Sequence, residues 1–276
     1  MSEFGAYLLS QSPPFSKSKV NAEGSKWRDQ KEYDSEIIDE FLAFNAELLD
    51  EFMRIANDTV ASIIRPLSSV EKTPVRPNSN EYTLSGRVKT EGTLLEKLRR
   101  MKTTPIMNVQ DVAGFRFDCD LSLTEQLAIA EAFGNDFRQA GATRVDIRDF
   151  RKQPHSGYRA VHLHIRAKAG RGEMQIRTAL QAKWANIYEE AADIVGRDIR
   201  YLHEGATLPK GAEPIVNKLH DASSMVKRVE ELEDISGFKK SDEVRALYAE
   251  VYGMLDVIHD LSLIHISEPT RQAEIS

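Results

Sequence analysis

From residue 157 to residue 178 apolar and polar side chains alternate along two arms. Val161, Leu163 and Ile165 mark the first and Met174 and Ile176 the second, with Gly170-Arg171-Gly172 between them. A period of two is the signature of a half-buried strand and glycines supply a turn, so the pattern predicts a β-hairpin turning at 170–172. The opposite face carries His162, His164, Arg166, Glu173, Gln175 and Arg177. Such a face is either solvated surface or a site.

Elsewhere the period lengthens. Ile37, Phe41, Phe44, Leu48, Phe52 and Ile55 recur every three or four residues, which predicts an amphipathic helix over 34–64, opened by Asp34 and Glu36 and closed by Pro66. Pro74 and residues 77–80 mark a loop. A strand-like run at 82–89 leads into a helix over 91–101. A strand follows over 109–118, with Asp111 at its start and Val112, Phe115 and Phe117 apolar. A helix over 123–139 ends at Gly141, a strand covers 143–150, and residues 151–157 form a basic loop entering the hairpin. Beyond it, helices are expected at 179–195, 214–233 and 242–259, with a loop at 205–211. The fold class is therefore α+β: a mixed β-sheet of about five strands flanked by helices, with helical N- and C-terminal extensions. Residues 1–32, rich in Ser and Pro and carrying Lys17, Lys19, Lys26, Arg28 and Lys31, read as a flexible basic arm. Residues 33–200 read as the main domain and 201–260 as C-terminal helices. Residues 261–276 look like the conceptual translation of a sequencing-library adapter and are set apart, so the natural chain is expected to continue differently after about Asp260.

Charge changes the picture of the hairpin. The net charge is −6, yet residues 144–183 hold ten Lys or Arg against three Asp or Glu, whereas residues 213–260 hold six against eleven. Basic charge concentrated around the hairpin suits a phosphate-rich ligand. Cys119 is the only cysteine, so an internal disulfide and a cysteine metal cluster are excluded. No apolar run has membrane-spanning length, and the first residues lack the pattern of a signal peptide, so no membrane partner and a cytoplasmic location are expected.

Asp111 and Glu173 are the acids expected to share a site with these cations. Carboxylates are the ligands Mg²⁺ prefers, Arg and Lys clamp phosphates, and a carboxylate beside a hydroxyl orients or deprotonates it. The set suits phosphoryl or pyrophosphoryl transfer from a nucleoside triphosphate. Any basic sheet with two acids would fit equally, so solvated surface stays open. His162 and His164, two residues apart on one strand face, hint at a metal, but no second pair of ligands is apparent and a zinc site is not expected.

Four motifs then occur in order: Arg87-Val88-Lys89-Thr90 with Lys97-Leu98-Arg99 downstream; Asp111-Val112-Ala113-Gly114-Phe115-Arg116; Gly157-Tyr158-Arg159-Ala160-Val161-His162; and Glu173-Met174-Gln175-Ile176-Arg177-Thr178 followed by Trp184-Ala185. Over residues 87–185 this set resembles the synthetase domain of the RelA/SpoT family, the GTP pyrophosphokinases that make pppGpp and ppGpp. The resemblance implies a nucleotidyltransferase-like fold and Mg²⁺-dependent transfer of pyrophosphate from ATP to the 3′-hydroxyl of GDP or GTP. It implies that Arg87, Lys89, Lys97 and Arg99 bind ATP and that Asp111 and Glu173 are catalytic and hold magnesium. It further implies that Tyr158, His162, Gln175 and Arg177 serve the acceptor, Tyr158 by stacking on guanine. Thr93-Leu94 and Pro154-His155-Ser156 depart from the common family pattern. Two alternatives stand beside this reading: the toxic branch that pyrophosphorylates the 3′ end of tRNA, and an inactive nucleotide-binding or interaction module. A homo-oligomer through the C-terminal helices is a further expectation.

Overall fold

A computed structural model describes residues 7–64, 82–152, 154, 156–196, 199, 213–236 and 242–273. The loops expected around Pro74 and 77–80 and at 205–211, and Gln153 and His155 of the basic loop, lie outside the described residues. The strands are β1 (Tyr82–Val88), β2 (Ala113–Cys119), β3 (Ala142–Asp149), β4 (Val161–Ala167) and β5 (Arg171–Thr178). They form one sheet in the order β1-β2-β5-β4-β3. Only β2 and β5 run parallel; the other neighbours are antiparallel. The mixed five-stranded α+β architecture is as the sequence pattern predicts.

Alternation gives this sheet one apolar face, and two helices bury it. They are α2 (Ser35–Ile64) and α4 (Leu123–Gln139). Leu48, Phe52, Phe133 and Phe137 from the helices meet Phe115, Phe117, Leu163, Ile165, Met174 and Ile176 from the strands in a single core. Phe52 stacks on Phe115 with ring centroids 5.7 Å apart and meets Phe137 edge-on. Gly172 belongs to this face. A Cβ there would lie 2.4 Å from the Phe52 ring, so this glycine permits close approach of α2 within β5 and is not a turn residue, as the hairpin pattern suggests. The turn lies earlier, between β4 and β5, where the Ala167 amide donates to the Gly170 carbonyl at 2.8 Å.

The amino-terminal segment also departs from expectation. Residues 17–28 form α1 (Lys17–Arg28), N-capped by the Ser16 hydroxyl. Val20 and Trp27 are buried with Ile37, Ile38 and Phe41 of α2 and with Leu94 and Leu98 of α3 (Glu91–Met101). Two buried apolar anchors among polar neighbours hold this helix, a pattern too sparse to show as a stripe.

On the polar side, α5 (Ala179–Val195) leaves β5 through a capping box made by Thr178 and Gln181. Helices α6 (Glu213–Ser236) and α7 (Asp242–Ala273) pack on α5 through Trp184, Tyr188, Leu219, Val226, Val251 and Leu255, and the backbone of α7 continues past Asp260. Buried Glu230 of α6 accepts hydrogen bonds from the Thr178 hydroxyl and the Gln181 amide, locking α6 onto the cap. Burial pushes the Glu230 carboxyl up to about 7, so between its unfolded value and pH 7 the folded state binds the extra proton. Stability is then fully present below about pH 4.5 and is lost as pH rises to 7, by about 3 kcal/mol in all. Melting of wild type and Glu230→Gln at pH 5 and pH 8 checks this. The difference in Tm is expected to shift in favour of the Gln variant at pH 8; an unchanged difference would contradict it.

Candidate active site

Strand register sets the polar face. Arg87 of β1 lies opposite Gly114 of β2, Gly114 opposite Glu173 of β5, and Glu173 opposite His164 of β4. One step along, Ser85, Arg116, Gln175 and His162 make the next cross-strand row. Gly114 carries no side chain between Arg87 and Glu173, which leaves the floor of the groove open. A cavity of about 570 Å³ stands on this face, between the sheet, α3 and α5, and a smaller hollow of about 250 Å³ adjoins it over Gly114. Arg87, Lys89, Lys97, Asp111, Tyr158, His162, Glu173 and Gln175 all line the larger cavity.

Asp111 is in the turn before β2, not in the strand. Val109 and Val112 on either side are buried with α3, and the neighbouring Gln110 amide donates to the carbonyls of Ile165 and Gly172 at 3.1 and 2.7 Å. These anchors aim the Asp111 carboxylate into the cavity. Lys97 Nζ meets Oδ1 at 2.6 Å and Lys89 Nζ meets Oδ2 at 3.1 Å. Lys97 comes from α3, where Thr93, Glu96, Lys97 and Arg100 recur at helical spacing and face the cavity together. Arg99, expected among the ATP ligands, falls off that face, and Arg100 takes its place along the wall.

Glu173 lies between two histidines. His162 Nδ1 is 3.4 Å from Oε1 and His164 Nε2 is 3.4 Å from Oε2. Burial opposes the charge on Glu173, but the His164 hydrogen bond and the neighbouring imidazoles outweigh it and hold the carboxyl at about 2. Burial lowers His162 to about 4, against the pull of Glu173. At neutral pH the pair is therefore a carboxylate beside a neutral ring. Tyr158 Oη is 2.9 Å from His162 Nε2 and 3.4 Å from Gln175 Oε1, and the Gln175 amide donates to Glu173 Oε1 at 3.3 Å. Burial raises the Tyr158 phenol, so it stays protonated. Gly157 precedes Tyr158 with φ +83°, and a Cβ there would sit 2.9 Å from the Trp184 ring. Positive φ and close packing both call for glycine.

Arg177 is the second expected site residue that the structure withholds from the cavity. Its side chain is 1% exposed and its guanidinium grips Asp118 of the adjacent parallel strand, Nε to Oδ1 and Nη2 to Oδ2, both at 2.8 Å. Conversely, Arg116 lines both hollows and pairs with Glu189 of α5 at 3.0 Å. Its place in the alternation Gly114, Arg116, Asp118 is the signal that could have flagged it. Trp184 and Tyr188 of α5, stacked with centroids 4.8 Å apart, complete the wall. Two hard-oxygen carboxylates and a set of cations on one cavity match the donor chemistry of a magnesium–phosphate site.

Residues 86–193 match the model of the region found in RelA/SpoT proteins. Uncharacterized proteins of Mycobacterium bovis and Mycobacterium tuberculosis are 43% identical to this chain over 152 residues, 53% of this chain and 55% of theirs. The chain thus spans about half the length of the curated relatives it matches. Among solved structures, small alarmone synthetase 1 from Bacillus subtilis is similar at 26% identity, covering 73% of this chain and 95% of that one with a TM-score of 0.51. The same enzyme bound to its product pppGpp is similar at 25% identity, with 75% and 100% covered and a TM-score of 0.53. A GTP pyrophosphokinase family protein from Streptococcus pneumoniae shares the fold at 20% identity, with 76% and 96% covered and a TM-score of 0.51. Ordered motifs, strand order and these matches agree over residues 86–193, which correspond to the region found in RelA/SpoT proteins.

Proposed function

We propose that the chain transfers the β,γ-pyrophosphate of ATP to the 3′-hydroxyl of GDP or GTP, making ppGpp or pppGpp and releasing AMP, in the cytoplasm. One observation carries the reading: Arg87, Lys89, Lys97, Asp111, Tyr158 and Glu173 line a single cavity although they come from β1, α3, β5 and the connecting segments between elements. The similar structure of small alarmone synthetase 1 bound to its product pppGpp supports the acceptor class.

Arg87, Lys89 and Lys97 bind the ATP phosphates, the two lysines exchanging Asp111 for phosphate oxygens as ATP arrives. Arg100 and Arg116 lie on the same walls and add positive charge where the transferred group gathers negative charge. Asp111 and Glu173 would hold Mg²⁺, which when bound neutralises charge on the phosphates. Glu173 stays ionised and accepts the hydrogen bond of the 3′-hydroxyl, pointing its oxygen at the β-phosphorus. That oxygen attacks in line, the bond from the β-phosphorus to the bridging oxygen of AMP breaks, and the hydroxyl proton passes through the Glu173 carboxylate to water as the new ester forms. Tyr158, backed by the apolar cluster of α5 to α7, offers its ring to guanine, and His162 with Gln175 fixes the phenol. Arg177 acts at one remove by bracing β5 to β2.

The test offers γ-labelled ATP and Mg²⁺ with GDP, GTP or deacylated tRNA as acceptor. Label is expected on GDP or GTP. Label on tRNA alone would move the chain to the toxic branch of the family, and nucleotide binding without transfer to any acceptor would make it an inactive module.

A further inference from the structure

The geometry points to a second kind of metal site on the same face: His162 Nδ1, His164 Nε2 and the Glu173 carboxylate form a three-ligand site for a borderline transition-metal cation, of which Zn²⁺ is the type. The three ligand atoms lie within 4.8 Å of one another. Both imidazole-to-carboxylate distances are 3.4 Å. Zinc bonds of 2.0–2.1 Å set tetrahedral ligand atoms roughly 3.3 Å apart, which the two imidazole-to-carboxylate contacts already match, while the wider ligand spacing has to draw in as the site closes. Magnesium demands oxygen and does not compete for the imidazoles.

The hydrogen bonds around His162 are compatible with a cation. His162 Nε2 is 2.9 Å from Tyr158 Oη, and when Nε2 donates to that oxygen Nδ1 turns a lone pair toward the carboxylate, where a metal ion satisfies both acceptors. A metal-bound histidine whose other ring nitrogen donates to a fixed partner is the usual arrangement of such sites. His162 and Glu173 line the cavity, so the remaining coordination positions open toward bound substrate or water.

This site deepens the proposed reaction, on which its consequence rests. A zinc ion held by the histidines occupies Glu173 and withdraws it from the acceptor hydroxyl and from a magnesium shared with Asp111. The chain would then be a synthetase switched off by a transition metal through His164, whose part in the proposed reaction is otherwise to help keep Glu173 ionised.

Binding is measured first, on the full chain without nucleotide, by titration calorimetry with ZnCl₂ and by the visible absorption of added Co²⁺. Wild type is expected to take roughly one ion at this site, and His164→Gln to bind it at least about tenfold more weakly and without the cobalt bands. Circular dichroism confirms that the variant is folded. The comparison isolates the site from the other histidines of the chain, which has seven in all. No uptake by wild type, or equal uptake by His164→Gln, overturns the proposal. In Mg²⁺-supported transfer assays, zinc is expected to inhibit wild type at a concentration about tenfold or more below that needed for His164→Gln; equal sensitivity overturns the switch. Zinc uptake by a chain that transfers nothing would instead overturn the proposed reaction and leave the site standing.

Discussion

Glu173→Gln is expected to lower the transfer rate by about a thousandfold or more while leaving ATP binding within a few-fold of wild type. The side chain keeps its shape, and Gln still fills the space between His162 and His164. What it loses is the negative charge proposed to accept the hydrogen bond of the 3′-hydroxyl and to help hold magnesium. Removal of one group that stabilises or orients the reacting atoms costs about 10²–10³ in rate, and this carboxylate serves in two capacities. Because Glu173 is held at about 2, wild type does not gain or lose this function by titration anywhere near neutral pH. Single-turnover rates with preformed ATP complex separate chemistry from binding. A rate within tenfold of wild type would remove Glu173 from the mechanism.

Asp118→Ala is expected to cost about 3 kcal/mol of stability. It leaves the Arg177 guanidinium charged, 1% exposed and without its partner, and breaking a buried pair from one side costs about 3–5 kcal/mol. The lower end is appropriate here because the Asp118 side chain is 19% exposed and its removal admits some water. For a chain of this size that loss corresponds to roughly 6–12 °C in Tm. Asp118→Ala combined with Arg177→Met replaces the stranded charge by an apolar chain and is expected to recover most of the difference. If the double variant melts no higher than Asp118→Ala, the pair is not what holds β5 to β2 at this point. The same logic explains why Arg177, which the motif places among the acceptor ligands, serves the fold: its charge is fully used within the sheet.

Much of the fold could be read from periodicity because the elements are long and one-sided. The α2 stripe from Ile37 to Ile55 is buried as its spacing predicts, and so are the apolar residues of the hairpin. Both rest on local pattern. What escaped depends on partners far along the chain. Gly172 looks like a turn glycine until Phe52, one hundred and twenty residues earlier, is set against it. Asp111 leaves the strand because Gln110 is tied to carbonyls of β4 and β5. The choice between Arg99 and Arg100 is one of helix phase, fixed by which face Leu94 and Leu98 bury. Helix α1 escaped for a different reason: Val20 and Trp27 anchor it, and two apolar residues in a polar segment make no stripe. The candidate site was legible where motif residues point into the cavity. His164 was legible as a histidine on the polar face, but its relation to Glu173 needed the antiparallel register of β4 and β5.

In the proposed reaction a pyrophosphate group, not a single phosphate, moves to the acceptor. Phosphorus NMR of a reaction containing ATP, Mg²⁺ and GDP or GTP measures this directly. AMP and a new 3′-diphosphate ester are expected to appear in equal amounts, both absent with Glu173→Gln. ADP as the nucleotide product, or consumption of ATP with no 3′-diphosphate formed, would contradict it.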